Sequence, residues 1–289
     1  MKTILFATDY SENSIAALKY ANSLSKAIQA TLKVIHVFDY PTMLDDLSLK
    51  AEDAFPDIEG DAFKKHLLKL NNFCKEHLGT DLEKMNVKVE AIEDKSVVNG
   101  IVSKANEIDA LLIITGMKGG SALREVIMGS TAKHLIEESP CPVLSIPKDA
   151  SHTQIKNIIY ATDFEEEDLG AIDKLTEIAE PLNAKIKIVH ISPLKERGGI
   201  GQKKNIVDKI HKYIQYPNLE LDILYSDDVF NDLKIYLGKA NADLIAMLER
   251  ESKSLSSQIF HRDLVKKMES FGKVPLLSFN ANNYGMFHL

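Results

Sequence analysis

Short apolar runs alternate with amphipathic helical patterns along the whole chain. The runs ILFAT at 4–8, LLIIT at 111–115 and VLSI at 143–146 are apolar on both faces. Strands covered by helices on both sides need that pattern. Between the runs the apolar spacing changes to three and four residues. Residues 11–29 place Ile15, Leu18, Ala21, Leu24 and Ile28 on one face of a helix, with Ser11 or Asn13 as its cap. Similar patterns lie at about 61–78, 96–107 and 130–138, and again at about 166–182, 203–214, 227–240 and 254–270. Strands alternating with helices predict right-handed βαβ units and a parallel sheet.

The runs recur. TILFATD at 3–9 returns as NIIYATD at 157–163, and VIHV at 34–37 returns as IVHI at 188–191, both 154 residues later. NVKVEAI at 86–92 returns as NLELDIL at 218–224, 132 residues later, and CPVLSIP at 141–147 returns as VPLLSFN at 274–280, 133 later. Strand-like runs thus repeat in one order, as in an internal duplication. The drop in offset from 154 to 132 places 22 extra residues in the first copy, at about 39–60. Pro41, Pro56 and several acids there predict a mobile loop with one helical turn. A polar, aperiodic stretch near 148–154 divides the chain into expected domains 1–149 and 150–289.

Composition narrows the function. The chain is 45% hydrophobic and 27% charged, as a globular protein should be, and its 289 residues suit two domains. A net charge of −7 argues against a nucleic-acid partner, because phosphate backbones are bound by surplus Lys and Arg. No run approaches the ~18 apolar residues of a membrane span. The short apolar start meets Asp9 and does not read as a signal peptide, so the cytoplasm is the expected location. Cys74 and Cys141 make neither a disulfide framework nor a metal cluster, and are expected to be inert thiols.

Open parallel sheets bind ligands beyond the carboxyl ends of their strands, where strand order reverses. Two loops fall there: Ala7-Thr8-Asp9-Tyr10-Ser11 after the first strand, and Thr115-Gly116-Met117-Lys118-Gly119-Gly120-Ser121 after the fourth. The second loop leads to Gly129-Ser130-Thr131, which opens the next helix. Glycine lets a backbone amide approach a ligand closely. A helix start offers unpaired N–H groups and a positive dipole end. Gly116 and Gly119 on one side, with Gly129 and Ser130 on the other, would bracket a di- or triphosphate, and Ser130 and Thr131 add hydroxyl donors. Read alone these residues are only permissive: glycines after a strand also make plain turns, and Ser130 also suits a helix cap. Neither a Walker loop nor a G-x-G-x-x-G fingerprint is present.

At these residues the sequence resembles the universal stress protein family, whose nucleotide motif is G-x2-G-x9-G-[S/T]. Here the motif reads Gly116-Met117-Lys118-Gly119, nine residues, then Gly129-Ser130. Asp9 with Ser11 after the first strand, His36-Val37 in the second, and Pro140-Cys141-Pro142-Val143 before the last agree with it. The resemblance covers the chain as a tandem pair. It implies two Rossmann-like domains of the adenine nucleotide alpha hydrolase-like type, each a five-stranded parallel sheet of order 3-2-1-4-5. It also implies ATP, ADP or AMP in the first domain, with Mg²⁺ as a candidate companion of the triphosphate. Asp9 and the Val37 backbone would face the adenosine, with Ala7 and Thr8 lining it. Gly116 would stand by the ribose, Gly119, Gly129, Ser130 and Thr131 by the phosphates, and Thr115 and Met117 are further expected nucleotide-binding residues. The last strands of the two domains would pair edge to edge as an intramolecular pseudo-dimer. A homodimer and an unidentified protein partner are further candidates.

The second copy departs from the motif. At an offset of 132, Gly116 becomes Leu248, Gly119 becomes Glu251, Gly129 becomes His261, Ser130 becomes Arg262 and Thr131 becomes Asp263. Glu249 and Glu251 place negative charge where a phosphate would lie, so nucleotide is expected in the first half alone. The basic, glycine-rich stretch 195–204 is expected to be a plain loop, and His36 and His190 to be structural strand histidines. The leading function is a nucleotide-binding regulatory protein of stress responses. One alternative is a slow ATP hydrolase or self-phosphorylating protein, though no residue for positioning a nucleophile is legible. Another is a scaffold or binder of an acyl-type ligand, through Leu248, Leu255, Ile259 and Phe260.

Overall fold

The structure, a computed structural model, describes residues 2–39, 58–117, 130–150, 154–196, 204–250 and 274–284. In the first half β1 (Thr3–Ala7), α1 (Glu12–Ala27), β2 (Thr31–Phe38), α2 (Ile58–Leu78), β3 (Val87–Glu93), α3 (Val97–Glu107), β4 (Leu112–Gly116), α4 (Ser130–Glu138) and β5 (Val143–Ile146) follow in order. The second half supplies β6 (Asn157–Ala161), α5 (Glu166–Ala179), β7 (Lys185–Ser192), α6 (Lys204–Tyr213), β8 (Leu219–Tyr225), α7 (Val229–Lys239), β9 (Leu244–Glu249) and β10 (Leu276–Asn280). Each repeated run is a strand.

One helix starts earlier than expected. Of the extra segment, residues 40–57 lie outside the described residues, while 58–60 already belong to α2. Gly60, a poor helix former, hid that first turn. The helix expected at 254–270 lies outside the described residues, as do the loop residues 197–203.

The strands form one ten-stranded sheet of order β3-β2-β1-β4-β5-β10-β9-β6-β7-β8. Each half therefore has the expected order 3-2-1-4-5. Neighbours within a half are parallel, but β5 and β10 pair antiparallel through Leu276↔Ser145, Leu277↔Leu144 and Ser278↔Val143. That pairing covers two sheet edges that would otherwise be open. It also aims the carboxyl ends of the two half-sheets in opposite directions. Side-chain amides pin the seam: Asn280 Nδ2 donates to Glu137 O at 2.6 Å and Asn283 Nδ2 to Ser139 O at 2.7 Å.

Alternate residues of each strand feed different cores. Ile4, Phe6, Val34 and Ile114 join the faces of α1 and α2 in a cluster that runs on through Leu144, Leu277 and Phe279 to α5 and α6. On the opposite face Leu5, Ile35, Val37 and Ile113 pack under α3 and α4. Ile159, Val189, Ile245 and Met247 pack under Leu233 and Leu237 of α7. Burial pushes the Cys74 thiol up to about 12 and the Cys141 thiol up to about 11, so both stay protonated near neutrality. Among the described residues no helix is long and apolar enough to cross a membrane.

Candidate functional site

The site begins with the turn that ends β1. Tyr10 has φ 64°, a left-handed conformation that costs a bulky residue about 1–2 kcal/mol. Local bonds hold it there. Tyr10 N–H donates to Thr8 Oγ1 at 3.0 Å, and the Tyr10 ring lies 4.4 Å from the His36 ring. His36 Nδ1 lies 2.8 Å from the Thr8 carbonyl, which can only accept, so Nδ1 carries the proton. The second half repeats the device. Phe164 has φ 62°, its N–H reaches Thr162 Oγ1 at 2.8 Å, and His190 Nδ1 lies 2.7 Å from Thr162 O. Both histidines thus fix the first strand's exit through Nδ1, and His36 also lines the cleft described below.

The exit presents Asp9. Its carboxylate accepts from Ser11 N–H at 3.0 Å and from Ser14 Oγ–H at 2.5 Å. Burial pushes its pKa up, but these donors outweigh burial and hold the carboxyl below its ordinary value. Ser11 also caps α1 by accepting from Ser14 N–H at 3.3 Å. The anion therefore sits at a helix start, where the dipole favours it.

A cavity of about 360 Å³ opens beside Asp9, at the carboxyl ends of β1 and β4. Ala7, Thr8, Asp9, Val37, Thr115, Gly116, Met117 and Thr131 line it, so these expected site residues share one cleft. Gly119 and Gly129 lie outside the described residues, and of Ser130 only its place as the first residue of α4 is described. Also in the wall, and not expected from the sequence, are Asn13 and Ser14 of α1, Val97 and Ile101 of α3, and Ala132 and Leu135 of α4. The βαβ pattern held the signal for them: a helix that follows a strand begins at the strand's carboxyl end, so its first turns face the crevice. The lining combines buried apolar Val37, Ile101 and Leu135 with polar Asp9, Ser11, Asn13 and Thr131. That mixture suits a planar apolar body with polar substituents.

Two glycines shape this cleft by close packing. A Cβ on Gly116 would lie 2.8 Å from the Asn13 carbonyl oxygen and 2.9 Å from its carbon, so only glycine lets α1 sit this close to β4. A Cβ on Gly100, in α3, would lie 2.9 Å and 3.1 Å from the two methyls of Val37. The second half carries Leu248 and Asp232 at the matching positions.

There the counterpart of Ser14 is a buried, paired carboxylate. Asp168, which replaces Ser14, is 1% exposed and accepts from Tyr160 Oη at 2.7 Å, Thr162 Oγ1 at 2.8 Å and Glu165 N–H at 2.8 Å. Arg250, which replaces Lys118, brings Nη2 to 3.3 Å from Asp168 and 3.7 Å from Glu167. The sequence suggested acids alone. Glu249 is present at the end of β9, but the dominant feature is this paired knot; Glu251, His261, Arg262 and Asp263 lie outside the described residues, as do Leu255, Ile259 and Phe260.

About half of the chain is similar in sequence, and nearly all of it in fold, to known proteins. A universal stress protein of Methanocaldococcus jannaschii is 29% identical over 154 residues, covering 51% of this chain and 82% of that one. The structure of a universal stress protein from Archaeoglobus fulgidus matches 96% of this chain and 98% of its own, with a TM-score of 0.69 at 18% identity. One from Pseudomonas aeruginosa, described as a putative universal stress protein, matches 97% and 93% with a TM-score of 0.62 at 16% identity. At these identities the structures speak for the fold. The model of the universal stress protein family matches residues 1–147, half of the sequence, and with that match the chain belongs to the universal stress protein family.

Proposed function

We propose that the protein binds an adenine nucleotide in the first-half cleft and acts as a nucleotide-dependent regulatory protein, with the second half as its pseudo-dimer partner. The observation that carries this is the cleft beside Asp9, lined by eight of the expected residues, set against the buried Asp168–Arg250 pair at the matching positions of the second half. About 360 Å³ falls within the range of small-molecule pockets, roughly 300–1,000 Å³. The base would lie on Val37, Ile101 and Leu135. The Asp9 carboxylate, held ionised by Ser11 and Ser14, would accept from a donor on the nucleoside. The phosphates would lie toward the start of α4, whose N–H groups at Ser130 and Thr131 suit an anion. Mg²⁺ would be held mainly by phosphate oxygens, as this small cation commonly is.

The test is native mass spectrometry of protein purified without added nucleotide, followed by calorimetric titration with ATP, ADP and AMP. A bound adenylate mass, or saturable binding of one of the three, is expected. No binding by the folded wild type overturns the proposal.

A further inference from the structure

Met117 stands at two places at once. It lines the first-half cleft, and it is 4% exposed because its side chain belongs to an otherwise second-half apolar cluster: Ile159, Val189, Leu233, Leu237, Met247 and Leu276 are among its members. Among the described residues of that cluster Met117 is the one member from the first half. Its main chain is tied to the seam as well, since Met117 N–H donates to Ile146 O at 2.8 Å. Ile146 ends β5, whose neighbouring residue Ser145 pairs with Leu276 of β10. The residue that walls the cleft is therefore held by β10 and by the core beneath α7.

We infer that the second half positions the nucleotide site of the first: Leu276 and its neighbours are positioning residues that set Met117 against the ligand. This rests on the nucleotide reading of the cleft and extends it. Apolar packing is close to solid-like, so a methyl lost beside Met117 lets that side chain move rather than leaving it in place. The ligand-binding wall then loses its shape although the ligand touches no second-half residue. Linkage makes the effect reciprocal, so a bound nucleotide also tightens the cluster under α7.

The test compares three variants by calorimetric ATP titration, with circular dichroism to establish folding. Leu276→Ala is expected to weaken ATP binding roughly three- to tenfold, in keeping with couplings carried through packed side chains. Leu276→Met, which refills most of the space, is expected to restore most of it. Ile210→Ala truncates an equally buried residue of α6 in the other core, and is expected to lower stability while leaving affinity at the wild-type value. Should Leu276→Ala not fold, Leu276→Val takes its place, with a smaller loss expected. A folded seam variant with wild-type affinity, or an equal loss in Ile210→Ala, overturns the inference. Wild-type protein that binds no adenylate overturns the nucleotide reading itself, and the inference with it.

Discussion

Arg250 Nη2 lies 3.3 Å from Oδ2 of Asp168, in the place where the first half has an open cleft. The Asp168 carboxylate is almost wholly buried and gathers four donors, from Tyr160, Thr162, Glu165 and Arg250. Burying a charge is tolerated only when it is paired and hydrogen-bonded, as here. Three replacements relative to the first half act together: Phe6 becomes Tyr160, Ser14 becomes Asp168 and Lys118 becomes Arg250. They give the second half a buried, paired carboxylate where the first half has Ser14 in the cleft wall. Asp168→Ala leaves Arg250 without its buried partner and is expected to cost about 3–5 kcal/mol of stability. Urea denaturation monitored by circular dichroism checks this; a loss below about 1 kcal/mol would mean the knot contributes little.

Gly116 and Gly100 should respond in opposite ways from exposed glycines. A helix-interior Gly→Ala change ordinarily stabilises by about 1 kcal/mol. Gly100→Ala is expected to forfeit that gain, because the new methyl meets Val37 and must push it into the cleft. Gly116→Ala meets main-chain atoms of Asn13 and must displace the first turn of α1, at a cost of about 1–3 kcal/mol. Both should weaken ATP binding. Thermal melts paired with calorimetric titration measure the two effects separately.

His36 in the cleft wall, with His66 stacked on it, makes stability depend on pH. Burial lowers the pKa of His36, helped by Lys69 and opposed by the Thr8 hydrogen bond and Asp9. Burial also lowers that of His66, whose ring stacks 5.5 Å from His36, with His36, Lys69 and Lys65 adding to the shift. A folded-state value below 6.5 means the unfolded chain takes up the proton first. Stability is then complete above 6.5 and is lost as pH falls from there toward the folded values. The urea midpoint is expected to drop between about pH 7.5 and pH 5.5. His36→Asn, which offers Thr8 O an N–H that does not titrate, should flatten that slope. An unchanged slope would remove His36 as a source.

Much of this architecture is legible in the sequence because it is written in local patterns. Doubly apolar runs become β1, β4 and β5, and the offsets of 154, 132 and 133 locate the strands of the second half. The shared cleft of Ala7, Asp9, Val37, Gly116 and Thr131 follows from their places at strand ends and at the start of α4. What the sequence hides depends on distances between remote segments. Gly116 is read as a ligand contact, yet its nearest constraint is the main chain of Asn13. Gly100 stands in a helical pattern with nothing to mark its approach to Val37. Asp168 and Arg250 are 82 residues apart, and no periodicity links them. Met117 reads as one residue of a glycine loop, and its partners lie in the other half.

On the proposed reading one nucleotide is held, by the first half only. Calorimetric stoichiometry of ATP on the wild type, Asp9→Ala and Asp163→Ala measures it most directly. Asp9 and Asp163 are the same position in the two copies. The expected result is one ATP per chain in the wild type, binding weakened at least about tenfold in Asp9→Ala, and unchanged binding in Asp163→Ala, since charge-assisted contacts contribute roughly 1.5–3 kcal/mol. Two ATP molecules per chain, or binding lost in Asp163→Ala and kept in Asp9→Ala, would contradict it.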